Sequence, residues 1–149
     1  MKIIAQRALD ASVEVDKEII GEIKKGLVLL VGFTEGDDKE TIIKMINKVI
    51  NLRIFDDENG VMNKSLLDTN GSILSISQFT LYADTRKGRR PSYIKALGGE
   101  AAIKLYDEFN NMLKENNIDV QTGKFGADMK VKFTNDGPVT IILDSEDYK

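Results

Sequence analysis

Histidine and cysteine are both absent from this 149-residue chain, and their absence removes whole mechanisms. No disulfide can form, no thiolate nucleophile exists, no Cys/His zinc site can be built, and no imidazole can serve as base for a serine or threonine. A hydrolase made from these residues must work some other way. Long apolar runs are missing too: nothing approaches the ~18 residues of a membrane span. The opening Met1-Lys2-Ile3-Ile4-Ala5-Gln6-Arg7 turns polar where a signal peptide would be apolar. A soluble, cytoplasmic protein with no membrane partner is expected. "GEIKKG" and "GKFGAD" lack dinucleotide or P-loop spacing, so nucleotide hydrolysis is not expected. No repeat, linker or low-complexity segment breaks the chain.

What is present reads as one domain over residues 1–149, long enough to bury roughly two thirds of its unfolded surface. Alternation predicts short strands over residues 1–8 and 12–16, then a strand broken near Gly21 and a mostly apolar one over Leu27 to Phe33. In "DDKETIIKMINKVINLRIF" the period changes. Asp37 can cap, Glu40 follows three residues later, and Ile42, Ile46, Val49 and Ile50 share a helical face. "DDENG" at 56–60 is a turn signal. Ser72 to Leu81 reads as a strand, and a second helix follows with Ala102, Leu105, Tyr106, Phe109, Met112 and Leu113 at three-and-four spacing. Short segments at Ile118–Thr122, Met129–Thr134 and Val139–Asp144 close the chain, the last two separated by the turn signal "NDGP". The order predicts one compact α/β domain with two main helices gathered on one side of the sheets.

Most carboxylate pairs, such as Asp37-Asp38 and Asp56-Asp57, fall in caps and turns that explain them. "SQFTLYADTRKGRRPS" at 77–92 is different. A strand carrying Ser77, Gln78, Phe79 and Thr80 runs into a loop with Arg86, Lys87, Arg89 and Arg90, although the net charge is −3. Gly88 allows close approach, and the cations suit phosphate contacts. On the residues alone, a solvated charged loop and an ordinary Ser/Thr-containing strand account for the same pattern, and period two does not say which strand face is wet.

"SQFTLYADTRKGRRPS" together with "NDGPVT" at 135–140 resembles the two signature segments of D-aminoacyl-tRNA deacylases. "QRALDASVEVD", "RIFDDENGVMN" and "GKFGADM" fall in that family's order along the whole chain. Val61 and Lys64 depart from the family pattern at positions that look peripheral. The resemblance implies a compact α/β domain of layered β-sheets, working as a homodimer that hydrolyses the ester of D-aminoacyl-tRNA, and of glycyl-tRNA mischarged on tRNA(Ala), as proofreading in translation. It implies that Ser77, Gln78, Phe79 and Thr80 line the catalytic pocket and that Phe125, Ala127 and Met129 wall it. Gly137 and Pro138, as a Gly-cisPro motif supported by Arg7, would enter from the partner subunit and reject L-aminoacyl esters. Arg86, Lys87, Arg89 and Arg90 would border the tRNA acceptor end. No cofactor, metal or DNA is expected. A non-catalytic dimeric module binding RNA or a small metabolite is the alternative, since it too would explain a basic loop in a chain without His or Cys.

Overall fold

The computed structural model describes residues 1–149. Its frame is a five-stranded mixed sheet in the order β6-β5-β2-β1-β7. β1 (Lys2–Val15) and β2 (Glu18–Gly32) form a long antiparallel hairpin. β5 (Ser72–Ser77) and β6 (Val120–Thr122) extend it in parallel on one side, and β7 (Lys130–Asp144) pairs antiparallel with β1 on the other. A small hairpin, β3 (Phe55–Asp56) and β4 (Met62–Lys64), stands apart. The helices are α1 (Lys39–Asn51), the single-turn α2 (Leu66–Thr69) and α3 (Gly99–Lys114). No helix is long and apolar enough to cross a membrane.

Alternation along the strands builds two cores. Ile3, Ala5, Leu27, Leu29, Val31 and Ile73 face the helices and join the α1 stripe of Ile42, Met45, Ile46, Val49 and Ile50 and the α3 residues Tyr106, Phe109 and Leu113. Both main helices therefore cover one side of the sheet, as the apolar spacing predicts. A smaller cluster uses the intervening residues, among them Val28, Leu74 and Ile76, with Val13 and Ile23. Met129, Val131 and Phe133 pack over that second face.

Several elements differ from expectation for local reasons. Residues 1–16 hold one strand instead of two, because Asp10 takes a left-handed conformation (φ 50°) inside a register shift and pairing resumes beyond it. β2 runs through Gly21, where a Cβ would lie 3.0 Å from the Thr122 carbonyl oxygen; the glycine serves close approach, not a break. Asp38, not Asp37, caps α1, in a reciprocal arrangement with Thr41 instead of Glu40. Asp37 instead accepts from the Met1 α-ammonium and from the Thr34 N–H, each at 2.8 Å. β5 stops at Ser77, and Phe79–Tyr82 forms a 3-10 turn. The hairpin at 55–64 and α2 had no periodic signal long enough to read.

The largest correction concerns "NDGP". It is not a turn between two strands but a bulge inside β7. Gln6 pairs with Thr140 and Ala8 with Asn135, so Asp136 to Val139 all stand opposite the single residue Arg7. Extra residues in one strand bend it locally and push backbone out of the ladder.

Candidate active site

The ends of β2 and β5, the start of α3 and the Gly123–Met129 loop enclose a cavity of about 260 Å3. Ser77, Gln78 and Phe79 form one wall; Phe125, Ala127 and Met129 form another. The structure thus brings together two groups of residues separated by some fifty positions in the sequence. Val31, Gly32, Phe33, Leu97 and Ala102 complete the lining. None of the lining residues carries an ionisable side chain.

Gly32 sets how closely β2 approaches the 78–81 segment. A Cβ there would sit 2.9 Å from the Gln78 carbonyl oxygen and 3.2 Å from Leu81 Cβ, tighter than packed atoms tolerate without displacement. The Gln78 N–H donates to the Val31 carbonyl at 2.7 Å and is consumed by the sheet. The N–H groups of Phe79 and Thr80 open the 3-10 turn, where backbone donors have no partner within the turn itself. The turn thus leaves these two donors unengaged, whereas the Gln78 N–H is taken up by β2. Thr80 does not line the cavity, but its hydroxyl oxygen accepts from Gln78 Nε2 at 2.6 Å. That bond leaves the hydroxyl proton of Thr80 free to donate elsewhere. Phe79 is 53% exposed and meets Tyr93 edge to face, with ring centroids 5.1 Å apart.

Arg7, Gly137 and Pro138 lie on the β1–β7 side, outside this cavity. The Arg7 side chain is buried and pins the bulge: Nε donates to the Asp136 carbonyl at 3.1 Å, and a terminal nitrogen donates to the Ile54 carbonyl at 2.9 Å. Its charge also faces the Asp136 carboxylate at 3.3 Å and Asp56 at 3.4 Å. Gly137 and Pro138 are exposed, and Gly137 has φ 124°, a conformation that suits glycine. The Gly137–Pro138 peptide is cis.

The basic loop is exposed and closed at its base by reciprocal backbone bonds between Asp84 and Ser92 at 2.8 and 2.9 Å. Its four cations are not equivalent. Arg86 makes a two-point contact with Asp84 at 2.9 and 2.6 Å. Hydrogen bonds from the Arg86 side chain, then from its backbone N–H, hold the Asp84 carboxyl well below the usual carboxylate range. Lys87, Arg89 and Arg90 have no carboxylate partner. Sequence reasoning missed Asp84 and Gly32; only the two-residue Asp84–Arg86 spacing offered a local signal. No group of three or more His, Cys, Asp or Glu is arranged so that it could hold a metal ion.

Fold and site together define an α/β domain with an uncharged, largely apolar pocket and an exposed basic loop. The D-Tyr-tRNA(Tyr) deacylase family model matches residues 4–144. The chain is 59% identical over 146 residues to the D-aminoacyl-tRNA deacylase of Clostridium kluyveri, covering 98% of both chains. It is 57% identical over 146 residues to that of Clostridium novyi, again covering 98% of each. A solved structure named c-Myc DNA Unwinding Element Binding Protein shares 39% identity and a TM-score of 0.91, over 97% of this chain and 98% of that one. The structure of a probable eukaryotic D-amino acid tRNA deacylase, at 17% identity, shares the fold with a TM-score of 0.80 over 95% and 97% of the chains. This chain belongs to the D-Tyr-tRNA(Tyr) deacylase family, and is an enzyme of that family.

Proposed function

We propose that the protein hydrolyses the ester of D-aminoacyl-tRNA, and of glycyl-tRNA mischarged on tRNA(Ala), releasing tRNA and free amino acid as translational proofreading in the cytoplasm. The observation that carries the reading is the pocket without an ionisable side chain. Ester hydrolysis there relies on backbone donors for the oxyanion, and losing one such donor typically costs about a hundredfold or more in rate. The ribose 2′-hydroxyl, adjacent to an ester on the 3′-oxygen, orients water or shares in proton transfer; well-oriented groups of this kind reach effective molarities of roughly 10^5 M and above. Thr80 has no base within its own hydrogen-bonding set, which speaks against a covalent role. Lys87, Arg89 and Arg90 meet acceptor-end phosphates.

The reading includes a homodimer with composite sites. β7 is an edge strand of the sheet, and its Ile142 is 72% exposed; such an edge invites pairing with a second copy. Gly137 and Pro138 of the partner subunit then enter the pocket, where rigid backbone excludes an L side chain and leaves a D side chain pointing outward. Exclusion suits a site that must admit many D residues, because contacts worth about 1 to 3 kcal/mol per group could not reject every L-aminoacyl-tRNA. Glycine, lacking a side chain, is accepted. The deciding assay follows release of D-tyrosine from D-Tyr-tRNA against L-Tyr-tRNA. Tight tRNA binding with no release of either amino acid would favour a non-catalytic RNA-binding module.

A further inference from the structure

The two pocket walls are joined behind the cavity by one side chain that does not line it. Tyr106, on the buried face of α3, donates its hydroxyl proton to the Ser75 carbonyl at 2.8 Å and accepts from the Ser75 hydroxyl at 3.3 Å. Ser75 stands two residues ahead of the Ser77–Thr80 segment. Its carbonyl also accepts from the Gly123 N–H at 3.2 Å, and Gly123 opens the loop that carries Phe125, Ala127 and Met129. The Tyr106 ring packs against Phe125, with centroids 5.9 Å apart and planes tilted by 49°. One buried tyrosine thus touches the root of both walls, one through its oxygen and the other through its ring.

We infer that Tyr106 is a positioning residue that fixes the Ser77–Phe79 wall relative to the Phe125–Met129 wall. The Ser75 carbonyl alone could let the loop pivot about a single hydrogen bond; adding the tyrosine hydroxyl and the ring on Phe125 leaves one arrangement. Backbone donors work in catalysis only when held at the place where charge develops, and a displacement near 1 Å costs up to about a hundredfold. The inference rests on the proposed hydrolysis for its kinetic test but not for its structural one.

Tyr106→Phe removes the oxygen and keeps the ring, and the Ser75 carbonyl retains its Gly123 donor, so the variant folds. We expect kcat on D-Tyr-tRNA to fall about tenfold or more with KM within about threefold. Phe109→Leu, on the same helix and in the same core but not lining the pocket, serves as the control for lost stability. It should lower the melting temperature while keeping kcat. Wild-type kcat in folded Tyr106→Phe, or an equal loss in Phe109→Leu, overturns the assignment. Should the wild-type protein fail to cleave D-Tyr-tRNA, the proposed function falls and the assignment is judged on amide resonances instead. Those of Phe79, Thr80 and Phe125 to Met129 should shift together in Tyr106→Phe and stay in place in Phe109→Leu; unmoved resonances in Tyr106→Phe overturn it.

Discussion

Gln78 holds Thr80: the side-chain amide donates to the threonine hydroxyl across 2.6 Å, and no carboxylate, amine or phenol lines the cavity beside them. A hydroxyl that accepts from an amide is not being deprotonated by it. Thr80→Ala should therefore retain substantial deacylase activity, within about tenfold of wild type, as one hydrogen bond is lost but not a nucleophile. Single-turnover kinetics check this, and a loss of all measurable turnover would assign Thr80 the covalent role.

Gly32→Ala tests the close approach of β2 to the turn. The added methyl meets the Gln78 carbonyl at 2.9 Å, so the turn must shift. Stability should drop by about 1 to 3 kcal/mol, and kcat should drop by about tenfold to a hundredfold because the Phe79 and Thr80 donors move with the turn. Thermal melts and initial rates measured together separate the two effects.

The basic loop makes a prediction that distinguishes its cations. Replacing Lys87, Arg89 and Arg90 by alanine should flatten the log-log salt dependence of tRNA affinity by about 0.7 to 0.9 per lost contact. Arg86→Ala should change it less, because Asp84 already engages that guanidinium. Asp84→Asn should do the reverse, releasing Arg86 and steepening the slope. The sign with pH follows from the lowered Asp84 carboxyl. The pairing contributes fully above the ordinary carboxylate range and is lost only as pH falls through the depressed value, so Arg86 stays occupied at neutral pH. Equal slopes for the Arg86 and Arg89 variants would contradict this division.

Arg7→Leu leaves the Asp136 and Ile54 carbonyls without their donor. Stability should fall by about 1 to 3 kcal/mol, and cleavage of L-Tyr-tRNA should rise relative to D-Tyr-tRNA as the bulge loses its anchor. Ile142→Lys, at the exposed β7 edge, should yield monomers by sedimentation with little residual activity. A fully active monomer would sink the composite site.

The sequence made the two apolar helices and the places of the strands legible, because burial on one face writes a period into the residues, but it split β1, β2 and β7 into shorter pieces than the structure holds. Ser77 to Phe79 and Phe125 to Met129 were reachable through resemblance alone; composition left them indistinguishable from an ordinary strand and loop. Gly32 and Tyr106 were hidden for another reason. Their roles lie in contacts with Gln78 and Ser75, far away in the chain, and nothing local marks them. "NDGP" misled because Gly-Pro chemistry signals a turn whether the chain reverses or bulges. Pairing of β1 on both sides of Arg7 decides between the two, and that pairing is non-local.

The central claim is that hydrolysis borrows its hydroxyl from the substrate, since the pocket supplies no base of its own. The most direct test compares D-Tyr-tRNA ending in adenosine with the same tRNA ending in 2′-deoxyadenosine, each esterified on the 3′-oxygen. The deoxy substrate should bind with nearly the same affinity and turn over at least about a hundredfold more slowly; cleavage at the wild-type rate, or an acyl group trapped on Thr80, would contradict the account.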